Sequence, residues 1–162
     1  MFVRITFLLV LVLAPWLSFA SENQNVETVK AMVKLINQRD LASLHTVVAN
    51  DVVRHSGATP GVVVTSLDEF IAFLETDIAA IPDSTQNIEM IFSADDKVAV
   101  FAHYVGTQTG QMGPFLPSGK RIDLPFMAIL RIENDKIAEI WVEWDNVLAL
   151  TQLGHMPPPP SE

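Results

Sequence analysis

The spacing of apolar residues switches at Pro82 from helical to alternating, and few folds accommodate such a chain. Upstream, Val26, Val29, Val33 and Ile36 recur three to four residues apart, which predicts an amphipathic helix from Asn25 to Gln38. Asp40 can cap a second, short helix holding Leu41, Leu44 and Val48. Ser56 to Gly61 reads as a loop. Ser66-Leu67-Asp68-Glu69 is a capping box, and Leu67, Phe70, Ile71, Leu74, Ile78 and Ile81 share one face of the third helix, which Pro82 stops. Downstream, Gln86–Ser93, Lys97–Thr109, Arg121–Ile132 and Lys136–Asp145 are rich in Val, Ile, Phe and Trp. Asp95-Asp96 and Asn134-Asp135 supply hairpin turns between them. Helices followed by hairpin-linked strands predict an α+β fold, with helices packed on one face of a mostly antiparallel sheet. Gly113-Pro114 and Pro117 mark a loop between long strands, Leu148–Leu153 reads as a last helical turn, and Pro157–Pro160 as a stiff tail.

The first 20 residues have the character of a cleavable signal peptide. Arg4 precedes an apolar run from Ile5 to Phe19, and Ser18-Phe19-Ala20 places small residues where a signal peptidase reads. The run falls short of the roughly 20 residues that a membrane-spanning helix needs. The expected divisions are therefore a leader over 1–20, one domain over 21–154 and a Pro-rich tail over 155–162. The mature chain is expected in the periplasm or outside the cell, free of the membrane after cleavage. It contains no cysteine, so packing alone must hold it together. The formal charge is −9 for the whole sequence and −10 once the leader's Arg4 is removed, with no basic stripe, which argues against nucleic acid as a partner.

Chemistry is suggested by the last strand. Ile137, Glu139, Trp141, Glu143 and Asp145 fall on one face, while Ala138, Ile140, Val142 and Trp144 form a second, apolar face that must be buried. If the first face lines a cavity, Asp145 stands at its rim beside an aromatic wall and can exchange protons with a substrate. The same residue is also placed to cap the last helix. Met112, Phe115, Leu116, Phe126 and Met127 provide an apolar inventory suited to lining a pocket for a small apolar molecule.

Ile137-Ala138-Glu139-Ile140-Trp141-Val142-Glu143-Trp144-Asp145-Asn146, followed by Leu150-Thr151-Gln152-Leu153-Gly154, resembles the carboxy-terminal signature of SnoaL-like polyketide cyclases, also called the ester cyclase family. Gly106-Thr107-Gln108-Thr109-Gly110, Leu116-Pro117-Ser118-Gly119-Lys120-Arg121 and Val53-Arg54-His55 resemble other segments of the same family, so the likeness runs from Val26 to Gly154. It implies a cone-shaped α+β barrel of the nuclear transport factor two-like superfamily, with three amino-terminal helices on a curved, mostly antiparallel sheet. It also implies cofactor-independent acid–base catalysis, with the aspartate matching Asp145 as general acid/base and no metal. A homodimer is expected, because folds of this superfamily commonly pair through a sheet face. Ile140, Val142 and Trp144, or Leu124 and Phe126, are the apolar faces considered for it.

The family pairs its aspartate with a histidine on the preceding strand, whereas Arg121–Ile132 has none and Gln108 stands where many relatives carry histidine. His55, beside a Gly/Pro loop, and His103 are the available assistants. Trp141, Glu143, Phe126, Tyr104 and Gln108 complete the expected pocket. His45 and His155 are assigned no role, and no histidine pair has the spacing of a metal site. Two functions follow from this reading. One is an exported enzyme of cyclase, isomerase or hydratase type acting on a small carbonyl or polyketide-like compound. The other is a secreted module that binds a small ligand without chemistry.

Overall fold

A computed structural model describes residues 14–157. Residues 1–13 of the expected leader lie outside the described residues. Helix α1 (Ala14–Asn37) begins 11 residues before the expected start. Pro15 falls in its first turn, where the missing N–H leaves no hydrogen bond unmade. Val29, Met32, Val33 and Ile36 form its buried stripe, and the Asn25 side chain donates to the Asp95 carbonyl at 3.1 Å. The second helix is a 3₁₀ segment (Leu41–Thr46), capped by Asp40 as expected. It stops before Val48, because the β-branched Val47-Val48 pair passes directly into strand β1 (Val48–His55). Helix α2 (Leu67–Ala80) starts at the predicted capping box, where the Ser66 hydroxyl accepts from the Glu69 amide. Among the described residues no helix is long and apolar enough to cross a membrane.

The four expected strands are β2 (Thr85–Ala94), β3 (Lys97–Thr107), β4 (Arg121–Glu133) and β5 (Lys136–Trp144). The sheet order is β1-β5-β4-β3-β2, antiparallel throughout except that β1 runs parallel to β5. The mostly antiparallel sheet and the helices packed on it are those expected, and the sheet is open, with β1 and β2 as its two edges. Asn134 and Asp135 both have positive φ, as a tight turn matching the twist of β4 and β5 requires. A short helix α3 (Asn146–Gln152) follows β5.

Alternation decides which side chains enter the core. Val52 and Arg54 on β1, Ile140, Val142 and Trp144 on β5, Phe126, Ala128 and Leu130 on β4, and Val100, Ala102 and Tyr104 on β3 point toward the helices. A register shift between Arg131 and Ile132 leaves both Ile137 and Ile140 buried, although simple alternation puts them on opposite faces. The interior is not one continuous cluster. One group gathers α1, α2 and the sheet around Phe70, Leu74, Val100 and Leu130. A second gathers Ala80, Ile81, Ile122, Leu124, Ala149 and Leu153 under α3.

Candidate active site

Three polar side chains occupy the inner face where these two apolar groups meet. Tyr104 on β3 donates its hydroxyl hydrogen to Asp77 Oδ2 on α2 at 2.8 Å. Asp77 lies one helical turn beyond Phe73, and the Arg54 guanidinium stands 4.3 Å from the Phe73 ring centre and 5.8 Å from that of Trp144. Phe73, Asp77, Tyr104, Phe126, Val142 and Trp144 all retain part of their surface, although every one faces inward. This part-open face is therefore lined by aromatic and apolar side chains around a carboxyl, a phenol and a guanidinium.

Close backbone approach brings these elements together. Gly110 donates to the Ala80 carbonyl at 2.9 Å, and a side chain there would collide with the Ala79 backbone. A side chain at Gly106 would collide with Ile81 and with the Ser84 backbone. The end of α2 thus lies directly on the β3 terminus, which holds Asp77 over Tyr104. Arg39 secures the same corner through the Pro82 and Ser84 carbonyls at 2.8 and 2.7 Å.

The electrostatics differ from those of surface groups. Burial pushes the Asp77 carboxyl above its ordinary pKa, opposed by the Tyr104 hydrogen bond and the charges of Arg39 and Arg54. Burial also pushes the Tyr104 phenol up, with the neighbouring Asp77 charge acting in the same direction, so it remains a donor. Burial pulls the Arg54 guanidinium down, opposed by Glu143 and Asp77. A carboxyl of raised pKa beside a held hydroxyl and a guanidinium can accept a proton from carbon and stabilise the oxygen that gains charge.

The residues singled out from the sequence divide between locations. Phe126 and Tyr104 belong to the inner face. Trp141 and Glu143 belong to the outer face, so the expectation that their side of β5 lines a cavity with Phe126 and Tyr104 is corrected: the helices cover the opposite side. His55 stacks on Trp141 at 5.3 Å, and its Nε2 lies 2.8 Å from Glu139 Oε1. His103 also faces outward, with Nδ1 2.6 Å from Asp123 Oδ1 and Nε2 3.4 Å from Glu89 Oε2. Hydrogen bonding to Asp123 raises its pKa above the ordinary histidine value. Glu143 accepts the Gly57 and Ala58 amides at 2.5 and 3.0 Å, pinning the loop after β1.

Gln108 is fully buried and ties together the Gly110 and Leu116 carbonyls and the His155 ring. Asp145 is exposed and caps α3, its Oδ1 accepting from Val147 and Leu148 at 2.8 and 3.0 Å. Among the described residues no three His, Cys, Asp or Glu side chains are grouped to hold a metal. Two surface depressions, of about 430 and 270 Å³, lie away from the inner face, against α1 and β2 and beside the β4–β5 turn.

Sequence reasoning assigns Arg54 and Asp77 no role in the site, although each carries a legible signal. Asp77 interrupts the buried row of α2, and Arg54 alternates with the fully buried Val52. A charge where the period calls for an apolar side chain marks a group retained for something other than packing.

Residues 26–153 match the model of the SnoaL-like polyketide cyclase family. Several solved structures share the fold. AclR from Streptomyces galilaeus, provisionally named a hydroxylase, is 24% identical, with a TM-score of 0.74 and 86% and 87% of the two chains covered. IdmH from Streptomyces antibioticus, provisionally named a polyketide cyclase, is 25% identical, with a TM-score of 0.71, covering 81% of this chain and 99% of its own. A SnoaL-like polyketide cyclase from Agrobacterium tumefaciens C58 is 22% identical, with a TM-score of 0.67, over 80% and 98%. No curated protein matches the chain significantly.

Proposed function

Because the chain belongs to the SnoaL-like polyketide cyclase family, we propose that it is a cofactor-independent acid–base enzyme of cyclase or isomerase type, acting on a small carbonyl compound at the inner face. The observation that carries this reading is the Tyr104–Asp77 pair, a part-buried carboxyl of raised pKa held by a phenol that stays protonated. In its ionised form Asp77 removes a proton from a carbon next to a carbonyl. The C–H electrons form the enolate, and the new O–H bond is on Asp77. Tyr104 and Arg54 stabilise the oxygen that takes up the charge. For a cyclase, the enolate carbon attacks a second carbonyl of the same molecule, and the resulting alkoxide recovers the proton from Asp77. Phe73, Phe126 and Trp144 hold the carbon skeleton in a folded arrangement and keep water away.

We also propose that the protein is exported, with the leader ending at Ala20. Asp145 remains the acid/base under a second reading, favoured by its place beside Trp144 at the end of β5 and by the match of its segment to the family signature. A screen of small diketones and cyclic ketones, followed by tryptophan fluorescence and product mass spectrometry, tests the proposal. Turnover by the wild type and binding without turnover by Asp77→Asn support it. A compound that binds both proteins and is never converted indicates a ligand-binding module instead.

A further inference from the structure

We propose that the inner-face site takes a monoanionic ligand, one with a carboxylate or a stabilised enolate on a flat apolar body, and that Arg54 binds the anionic oxygen. This rests on the preceding section for the location of the site, and not for turnover.

Arg54 is 6% exposed, so its charge is held inside the protein. Its Nη1 donates to the Thr59 hydroxyl at 2.9 Å, while the buried Nη2 has no hydrogen-bond partner among the described residues. No carboxylate among those residues lies within ion-pair distance of the guanidinium. Glu143 is engaged with the Gly57 and Ala58 amides, and Asp77 accepts from Tyr104 while burial favours its neutral form. A buried cation with a free donor edge is costly in isolation, and a bound carboxylate or enolate relieves that cost. The Phe73 and Trp144 rings flank the guanidinium, so an oxygen reaching Nη2 is attached to a body that lies against aromatic surface. Arg39, the other cation acting on Asp77, is bound to the Pro82 and Ser84 carbonyls. One available guanidinium suits a monoanion better than a phosphate, which calls for several donors.

The test uses 2-naphthoate and its uncharged counterpart 2-naphthamide, titrated against the full mature chain by calorimetry. The wild type is expected to bind the carboxylate at least tenfold more tightly than the amide. Arg54→Met is expected to remove that preference while keeping the folded-state melting transition, and Arg54→Lys, which keeps the charge but loses the planar fork, to reduce it severalfold. If Arg54→Met does not fold, the loss of preference in Arg54→Lys decides. Equal binding of the two compounds by the wild type, no binding of either, or a preference unchanged in the arginine variants overturns the proposal. Asp77→Asn is expected to retain the carboxylate preference. Carboxylate binding with no turnover of any compound therefore sinks the enzyme reading and leaves the anion site standing.

Discussion

The Tyr104 hydroxyl and the Asp77 carboxylate, 27 residues apart in the chain and on different elements, meet at 2.8 Å between the two apolar groups of the interior. The phenol supplies the one side-chain hydrogen bond that lowers the Asp77 pKa against burial. The activity and stability of the protein are therefore expected to respond to this pair in opposite directions.

Asp77→Asn should lower kcat/KM by about 10²–10⁴-fold, the usual contribution of a positioned acid or base. It should also raise stability at neutral pH. A carboxyl whose folded pKa lies above its unfolded value favours the native state below the unfolded value of about 3.8, and that stabilisation is lost as pH rises through the folded pKa. The variant is free of this loss, so the gap in melting temperature between variant and wild type should widen from pH 4 upward. A constant gap across pH would count against the assignment. The acid limb of the wild-type pH–rate profile should lie above the ordinary carboxylate range and move higher in Tyr104→Phe, which removes the opposing hydrogen bond.

Substitutions at Asp145 separate capping from catalysis. Asp145→Ala should destabilise the protein by ~1 kcal/mol through loss of the α3 cap, as read by urea denaturation. Asp145→Ser keeps a capping oxygen and should retain both stability and turnover. Normal stability with abolished turnover in Asp145→Ser would transfer the acid/base role from Asp77 to Asp145.

His103 should titrate above 6.5 in a proton NMR pH series, because Asp123 hydrogen-bonds its protonated ring. Asp123→Asn should bring it back toward 6.5. The stability this contact adds is present below 6.5 and declines as pH rises through the folded value. An unchanged titration in the variant would show that Glu89, rather than Asp123, dominates.

The outer face carries Met90, Phe92, Met127 and Ile129 with 46–65% of their surface exposed, whereas Ile140, Val142, Trp144, Leu124 and Phe126 face the interior. A dimer, if it forms through the sheet, uses the first set. Sedimentation velocity should give a dimer mass for the wild type and a monomer mass for Phe92→Asp combined with Met127→Glu, with little change in melting temperature. A monomeric wild type at micromolar concentration would end this assignment.

Amino-terminal sequencing of the exported protein should begin at Ser21. An exported protein that keeps Met1 would end this assignment.

Periodicity alone was enough for most of the architecture. The capping box at Ser66, the stop at Pro82, the β3 and β4 segments and the tight turn at Asn134-Asp135 are local matters, decided within a few residues by backbone sterics and hydrogen bonds. The inward face of Ile140, Val142 and Trp144 follows from the same alternation. The parallel pairing of β1 with β5 was not legible, because it joins segments more than 80 residues apart through backbone groups common to every residue. The side of β5 that meets the helices carries the apolar residues, so Trp141, although large and aromatic, stays outside with His55. Tertiary structure alone decided that Tyr104 meets Asp77 and that Arg54 comes close enough to act on the Asp77 charge. Each comes from a different element, and what shifts their ionisation, burial and the neighbouring charged groups, exists only once those elements are packed together.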